Sequence, residues 1–292
     1  MTMPENNTQP QQSPKKARPA LLAGMAAVIL ATALGIVWFS TPVKPDRIEH
    51  LSDSWVLKEN RDGPVIGDLG GVPVSIPKPY ANLVEYDGDP HFMEKRKKPA
   101  PERTYESKLA SFGFEVRYPD MAALTDENAA EKRKESIRTT KWMRVGVSSH
   151  SHYGGAGDDG IERRARDITD PKAHRYAYKP LPEKVHGLTG YFPVGPDESK
   201  RLQQVGGADM NDVNLYYHRN ESGQVDTYIE CSNMEHAAAQ CEQTFNLRPE
   251  MRVRLTVGYR RDLLPHWQEI QHSASQIILG FRVNPATTEN SK

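Results

Sequence analysis

The sequence is short of the residues that mark several common classes of protein. It has only 2 cysteines in 292 residues, and they lack the C-x-x-C spacing of a redox or metal pair. Its 38 Lys+Arg residues are balanced by 38 Asp+Glu residues, so the formal net charge is zero. Without a basic excess, the chain has no electrostatic footprint for nucleic acid.

Catalytic motifs are also missing. There is neither a G-x-S-x-G nor an H-E-x-x-H pattern, and no complete S-x-x-K set. Residues 155–160, GAGDDG, fit the expression G-x-G-x-x-G, but two aspartates stand where backbone amides should meet a pyrophosphate. The H-x-H motif at 150–152 could ligate a metal, although such a pair in a serine- and glycine-rich loop is usually solvated. We therefore expect no cofactor, no metal and no enzymatic activity.

One long apolar run interrupts an otherwise polar chain. Residues 20–39, ALLAGMAAVILATALGIVWF, carry no charge, and as a helix they span about 30 Å, the thickness of a bilayer's hydrocarbon core. Lys15, Lys16 and Arg18 precede the run, which places the N-terminus in the cytoplasm. We predict an uncleaved transmembrane helix over 20–40, because the run is longer than the apolar region of a signal peptide. Cleavage at the small residues 31–33 is the alternative.

The rest of the chain divides by composition. Residues 1–19 are rich in Asn, Gln, Pro, Ser and Lys and cannot bury a core, so we predict a disordered cytoplasmic tail there. A juxtamembrane stalk is predicted over 41–69, an exported domain over 70–285, and a disordered tail over 286–292.

Alternating hydrophobicity predicts that the exported domain is mainly antiparallel sheet. Apolar and polar residues alternate in five stretches: 72–76, 112–118, 143–147, 213–231 (with a turn at 220–223) and 253–259. Helices are predicted over 126–137 and from Asp262, as N-cap, to Phe281. We expect an α+β fold with the helices packed on one face of the sheet. The two strand–helix units leave two similar halves open, and 148–182 is predicted as a long surface excursion.

The two cysteines are predicted to form a structural disulfide. Cys231 falls on the apolar face of one strand-like run and Cys241 begins the next. If the runs pair as a hairpin, both cysteines stand at the base of the loop, and an exported domain is where such a pair oxidises. Two buried free thiols are the alternative.

Several segments resemble a family of bacterial membrane-anchored proteins. They are GVPVSIP at 71–77, VEYDGDP at 84–90, SKL and FGFEVRYPDM within 107–121, YIECS with the later Cys241, and YRRDLLPHW at 259–267. That family is similar to the immunity proteins encoded beside type VI secretion lipase effectors. The resemblance implies a periplasmic domain held in the inner membrane through 20–39, with a secreted effector, a lipase, as its partner. It assigns no catalytic residue.

The predicted function is therefore to bind and neutralise an antibacterial effector, a phospholipase that acts in the periplasm. Protein–protein interfaces are often formed by loops on a rigid sheet. Two loop regions of this chain contain aromatic and charged residues that suit an interface with the effector. The candidate contact residues are Glu85, Tyr86, Asp87, Asp89, Arg96, His152, Tyr153, Asp158 and Arg163. The alternatives are a bitopic component of envelope or secretion-system assembly, and a periplasmic hydrolase that uses His150 or His152.

Overall fold

An antiparallel sheet dominates the structure, a computed structural model that describes residues 63–90, 94, 99–154, 160–170, 172–173, 177–194, 213–233 and 239–284. A separate hairpin is formed by β1 (Val65–Leu69) and β2 (Val72–Ile76). The large sheet contains β3 (Asn82–Tyr86), β4 (Leu109–Arg117), β5 (Ala122–Ala123), β6 (Trp142–Ser148), β7 (Ala177–Pro180), β8 (Thr189–Val194), β9 (Val213–Arg219), β10 (Val225–Ser232), β11 (Gln240–Asn246) and β12 (Arg254–Arg260). Their order is β3-β4-β6-β12-β11-β10-β9-β8-β7, with β5 on β4. The predicted antiparallel sheet is confirmed.

The predicted alternation identifies the buried face of this sheet. Phe112, Phe114 and Val116 of β4 are all buried. Phe114 lies opposite Val145 of β6, which in turn lies opposite Val257 of β12. Because the side-chain period of a strand is two, this single register places the apolar residues of three strands on one face.

The predicted boundary between the stalk and the folded domain, at residues 69 and 70, is wrong. Strand β1 lies within the range 41–69, and its Val65 and Leu69 are buried in the main core. The hairpin turns through Gly70 and Gly71, which both have positive φ. Between Val65 and Leu69, Gly67 is also buried, and Ile66 and Asp68 are half-buried, so the strand alternates over its five residues. The folded domain therefore includes residues before Gly70.

The helices lie on both faces of the sheet, not on one as predicted. They are α1 (Asp126–Lys132), α2 (Gly160–Asp167) and α3 (Trp267–Leu279). On β10, Thr227 donates a hydrogen bond to Gln271 of α3 at 2.7 Å, whereas the next residue, Tyr228, packs against Ile161 of α2. Successive residues of a strand point to opposite faces, so α2 and α3 cover opposite sides of β10.

The predicted strand–helix units are not repeats of one arrangement. Lys132 of α1 contacts Glu115, which alternates with the buried residues of β4 and so faces away from α3. The first unit places its helix on the outer face and the second on the inner face. Helix α1 is also shorter than the predicted range 126–137.

Two further sequence expectations are corrected. The excursion predicted over 148–182 contains a 3-10 turn (His150–His152), α2 and β7, and Ile161 and Ile168 are buried. Asp262 is not the N-cap of the last helix, because a 3-10 segment, Arg261–His266, precedes α3 and the Asp262 carboxylate accepts from Arg260.

The predicted disulfide between Cys231 and Cys241 is confirmed. The two residues lie directly opposite each other on β10 and β11, and both are buried. The bond therefore closes the loop between two central strands of the sheet.

Replacing both cysteines by alanine should destabilise the protein by about 2–3 kcal/mol, because the unfolded chain regains the entropy of a short closed loop. The measurement is the urea midpoint, with and without a thiol reductant. Reductant should lower the midpoint of the wild type to that of the double variant and leave the variant unchanged. Equal midpoints for oxidised wild type and variant would contradict the expectation.

Within the described residues, no helix has both the length and the apolar character needed to cross a membrane. The predicted transmembrane segment 20–39, the two predicted tails and most of the predicted stalk lie outside those residues and stay predictions.

Candidate functional site

Loops from four parts of the chain meet at one end of the sheet. They are the β1–β2 turn at Gly70 and Gly71, the residues after β3, the segment after β6, and the β11–β12 turn at 247–253. Their positions follow from the register, because the ends of β6 and β11 and the start of β12 lie side by side. This arrangement gives the molecule a loop surface on a rigid base.

Six of the nine predicted contact residues lie at this end. Hydrogen bonding joins two of the loops, since the Ser151 hydroxyl donates to Asp87 Oδ1 at 2.5 Å. His152 Nδ1 is 4.0 Å from Glu85 Oε2. Glu85 and His152 remain partly exposed, with side-chain exposures of 39% and 42%, so they are available to a partner.

Tyr86 and Asp89 stabilise the loop rather than present it to a partner. The Tyr86 ring is buried, its hydroxyl donates to Ile66 O at 2.6 Å, and the Arg103 guanidinium lies 4.1 Å from the ring centroid. Arg103 also pairs with Asp89 at 2.6 Å. Neither side chain is well exposed, and their role as partner contacts stays a prediction.

Tyr153 is also buried, with an exposure of only 3%, and its role as a partner contact stays a prediction. Two guanidinium groups lie by its ring, those of Arg248 at 5.0 Å and Arg254 at 5.6 Å from the centroid. Arg254 Nη2 also donates to Tyr153 O at 3.1 Å. The Tyr153 ring and carbonyl therefore help to position the guanidinium groups of Arg248 and Arg254.

The remaining predicted contacts lie elsewhere. Arg163 is exposed on α2. Arg96 and Asp158 lie outside the described residues, so they stay predictions.

In the same helix as Arg163, the Glu162 carboxylate accepts from Val225 N at 2.8 Å and from Arg219. The hydrogen bond from the Val225 backbone has the larger effect, and together the two bonds lower the pKa of Glu162.

A small cleft lies between the β1–β2 turn and the β11–β12 turn. It has a volume of about 150 Å³ and is lined by Gly70, Gly71, His150, Tyr153 and Arg252. We call this cleft, together with Arg248 and Arg254 at Tyr153, the arginine cleft. His150 Nε2 is held 2.9 Å from Asp68 O and 3.2 Å from Gly70 N, so this ring is committed to the β1–β2 turn.

Sequence reasoning missed the three arginines of this cleft. They occur within seven residues, in the segment RPEMRVR at 248–254. The local density of arginine was a usable signal, but the strand pattern that begins there masked it. In the part of the chain that the structure describes, no group of three or more His, Cys, Asp or Glu residues could hold a metal ion.

No protein-family model matches the chain, and no curated protein is similar to it in sequence. Among solved structures, it is similar to an immunity protein of the Stenotrophomonas maltophilia type IV secretion system, with 16% identity and a TM-score of 0.47. It is also similar to the iron-regulated outer membrane lipoprotein FrpD of Neisseria meningitidis, with 12% identity and a TM-score of 0.37. Each comparison covers 76% of this chain and 94% of the other. Such remote similarity assigns neither a family nor an activity.

Proposed function

We propose that this protein is an immunity protein, which binds and neutralises an antibacterial effector acting in the periplasm. The observation that supports this function best is the loop surface at one end of the sheet. The Ser151–Asp87 bond and the Arg103–Asp89 pair hold its loops in place. A pre-organised surface loses little entropy on binding, which favours a tight complex that dissociates slowly.

The effector we propose is a phospholipase delivered by type VI secretion, as the resemblance of segments 71–90, 107–121 and 259–267 implies. Neutralisation of such an enzyme needs only occlusion of its active-site mouth or lid. We propose that residues 20–39 hold the domain at the inner membrane, the surface that the lipase attacks. Tethering raises the effective concentration of the binder where it is needed.

The test is co-expression with the lipase encoded by the adjacent gene, directed to the periplasm. Cells that carry the full-length protein should survive, and cells without it should lyse. A matched truncation variant that lacks residues 1–40 but is exported by a cleaved signal should protect less well, because it is not concentrated at the membrane.

Two results would separate this function from the alternatives. Lysis in the presence of the protein would reject the proposal for that lipase. Loss of secretion, rather than loss of self-protection, on deletion of the gene would support an assembly component instead.

A further inference from the structure

None of the arginines of the arginine cleft is paired with a carboxylate in the described part of the chain, a property that they share with other arginines such as Arg144 and Arg261. Six other arginines of the described residues are paired with carboxylates: Arg103, Arg117, Arg164, Arg166, Arg219 and Arg260. Within the same residues, no ion pair joins Arg248, Arg252 or Arg254 to a carboxylate. Two of these positive charges, those of Arg248 and Arg254, lie by the buried Tyr153 ring, and Arg252 lines the cleft beside it.

Two carboxylates lie near the cleft and do not neutralise it. Asp68 Oδ1 accepts from Gly71 N at 2.7 Å and lies 3.5 Å from His150 Nε2, so it serves the β1–β2 turn. Glu250 is exposed in the β11–β12 turn. Among the described residues, three guanidinium groups and two carboxylates lie at the cleft, so this part of the chain gives it a positive charge.

Contacts with the rest of the cleft constrain two of the three arginine side chains. The guanidinium groups of Arg248 and Arg254 lie by the Tyr153 ring, whereas the hydrogen bond from Arg252 N to Gly70 O at 3.1 Å fixes only the backbone of Arg252. Arg254 Nε is buried with no hydrogen-bond partner in the described part of the chain. Because this atom is buried and Arg254 is not one of the residues that line the cleft, Arg254 contributes positive charge there and not a donor that is open to a ligand.

We propose that the arginine cleft receives a carboxylate side chain from an acidic segment of the protein partner, an inference that rests on the proposed function. A guanidinium group presents two parallel donors that match a carboxylate. The cleft of about 150 Å³ accommodates one such side chain, with Arg248 and Arg252 exposed at its rim. The cleft thus determines the chemistry of the segment that docks there.

The direct test uses the full-length protein in neutral detergent and a fluorescein-labelled oligo-aspartate peptide, followed by anisotropy at low salt. The variant Arg248→Glu/Arg252→Glu should bind about tenfold more weakly than the wild type. Arg133→Glu/Arg138→Glu is the matched control, because it makes the same change in net charge with two exposed arginines distant from the cleft. It should bind as the wild type does. The neutral variant Arg248→Gln/Arg252→Gln should also bind the peptide more weakly. This result would show that the weaker binding does not come from a folding defect caused by the reversed charges.

Three results would overturn the inference: equal weakening in the control, no weakening in the cleft variants, or absence of peptide binding by the wild type. Binding to phosphatidylglycerol vesicles that depends on the same arginines, without peptide binding, would assign the cleft to lipid phosphate instead. In the co-expression assay, full protection by the cleft variant would reject the inference while leaving the proposed function intact. Failure of the wild type to protect would reject the function, and the peptide measurement would still decide the chemistry of the cleft.

Discussion

The variant Gln243→Leu should be less stable than the wild type by about 4 kcal/mol, because it leaves the buried Tyr259 hydroxyl without its acceptor and removes two further buried hydrogen bonds. Gln243 is fully buried on β11, on the sheet face that α3 covers. Its Oε1 accepts from the Tyr259 hydroxyl at 2.9 Å. Its Nε2 donates to Gln271 Oε1 at 2.9 Å and to Trp267 O at 3.2 Å.

This network links two strands to the last helix. Burial raises the pKa of Tyr259, so its phenol remains a donor throughout the physiological range and depends on Gln243. Leucine matches the size of glutamine roughly but offers no acceptor to Tyr259 and no donor to Trp267 O. In a low-dielectric interior an unpaired polar group keeps its full desolvation cost.

The measurement is the free energy of unfolding in urea, compared with that of Gln268→Leu. Gln268 is an exposed residue of α3, so its replacement should change stability by less than about 0.5 kcal/mol. Similar losses in the two variants would show that the network contributes nothing specific.

The local alternation of apolar and polar residues was sufficient to predict a strand and its buried face where only one face of the strand is buried. The alternation of Phe112, Phe114 and Val116 predicts β4 correctly, and the placement of Cys231 on an apolar face predicts the disulfide. For β4 the period of two determines the outcome without knowledge of the neighbouring strands, whereas the disulfide also required two consecutive runs to pair as a hairpin.

Pattern failed where both faces of a strand are covered. Thr227, Tyr228 and Ile229 are buried in succession, because α2 and α3 lie on opposite sides of β10. A helix period in 160–168 is short and is mixed with charges, so the sequence does not reveal that α2 supplies the second cover. For this reason the prediction that the helices pack on one face of the sheet was wrong.

The candidate site was predicted only in part, for a different physical reason. Glu85, Asp87 and His152 lie together at the loop surface, and their contact with a partner stays a prediction. Tyr153 does not contribute an exposed ring, because Arg248 and Arg254, about a hundred residues later in the chain, cover it. Only the register of β6, β12 and β11 brings these segments together, and register is a tertiary property.

The variant Gly70→Ala should be destabilised by about 3–4 kcal/mol, a sum of backbone strain and steric overlap. Gly70 has a φ of +63°, and a Cβ there would lie 2.6 Å from Arg252 O and 2.9 Å from Arg252 N. These are backbone atoms, which cannot rotate away as the end of a side chain can. The overlap would push the β11–β12 turn from the β1–β2 hairpin and open the arginine cleft.

Gly71→Ala is the matched control for this variant, because Gly71 has a φ of +95° but a Cβ there meets nothing within 4 Å. It should therefore carry the strain of a positive φ alone, about 1–2 kcal/mol. The difference between the free energies of unfolding of the two variants in urea measures the cost of the steric overlap between a Cβ at residue 70 and the Arg252 backbone. In the peptide assay, Gly70→Ala should weaken oligo-aspartate binding under conditions where it is still folded. Equal stabilities for the two variants would mean that the two turns are not in the tight contact on which the shape of the cleft depends.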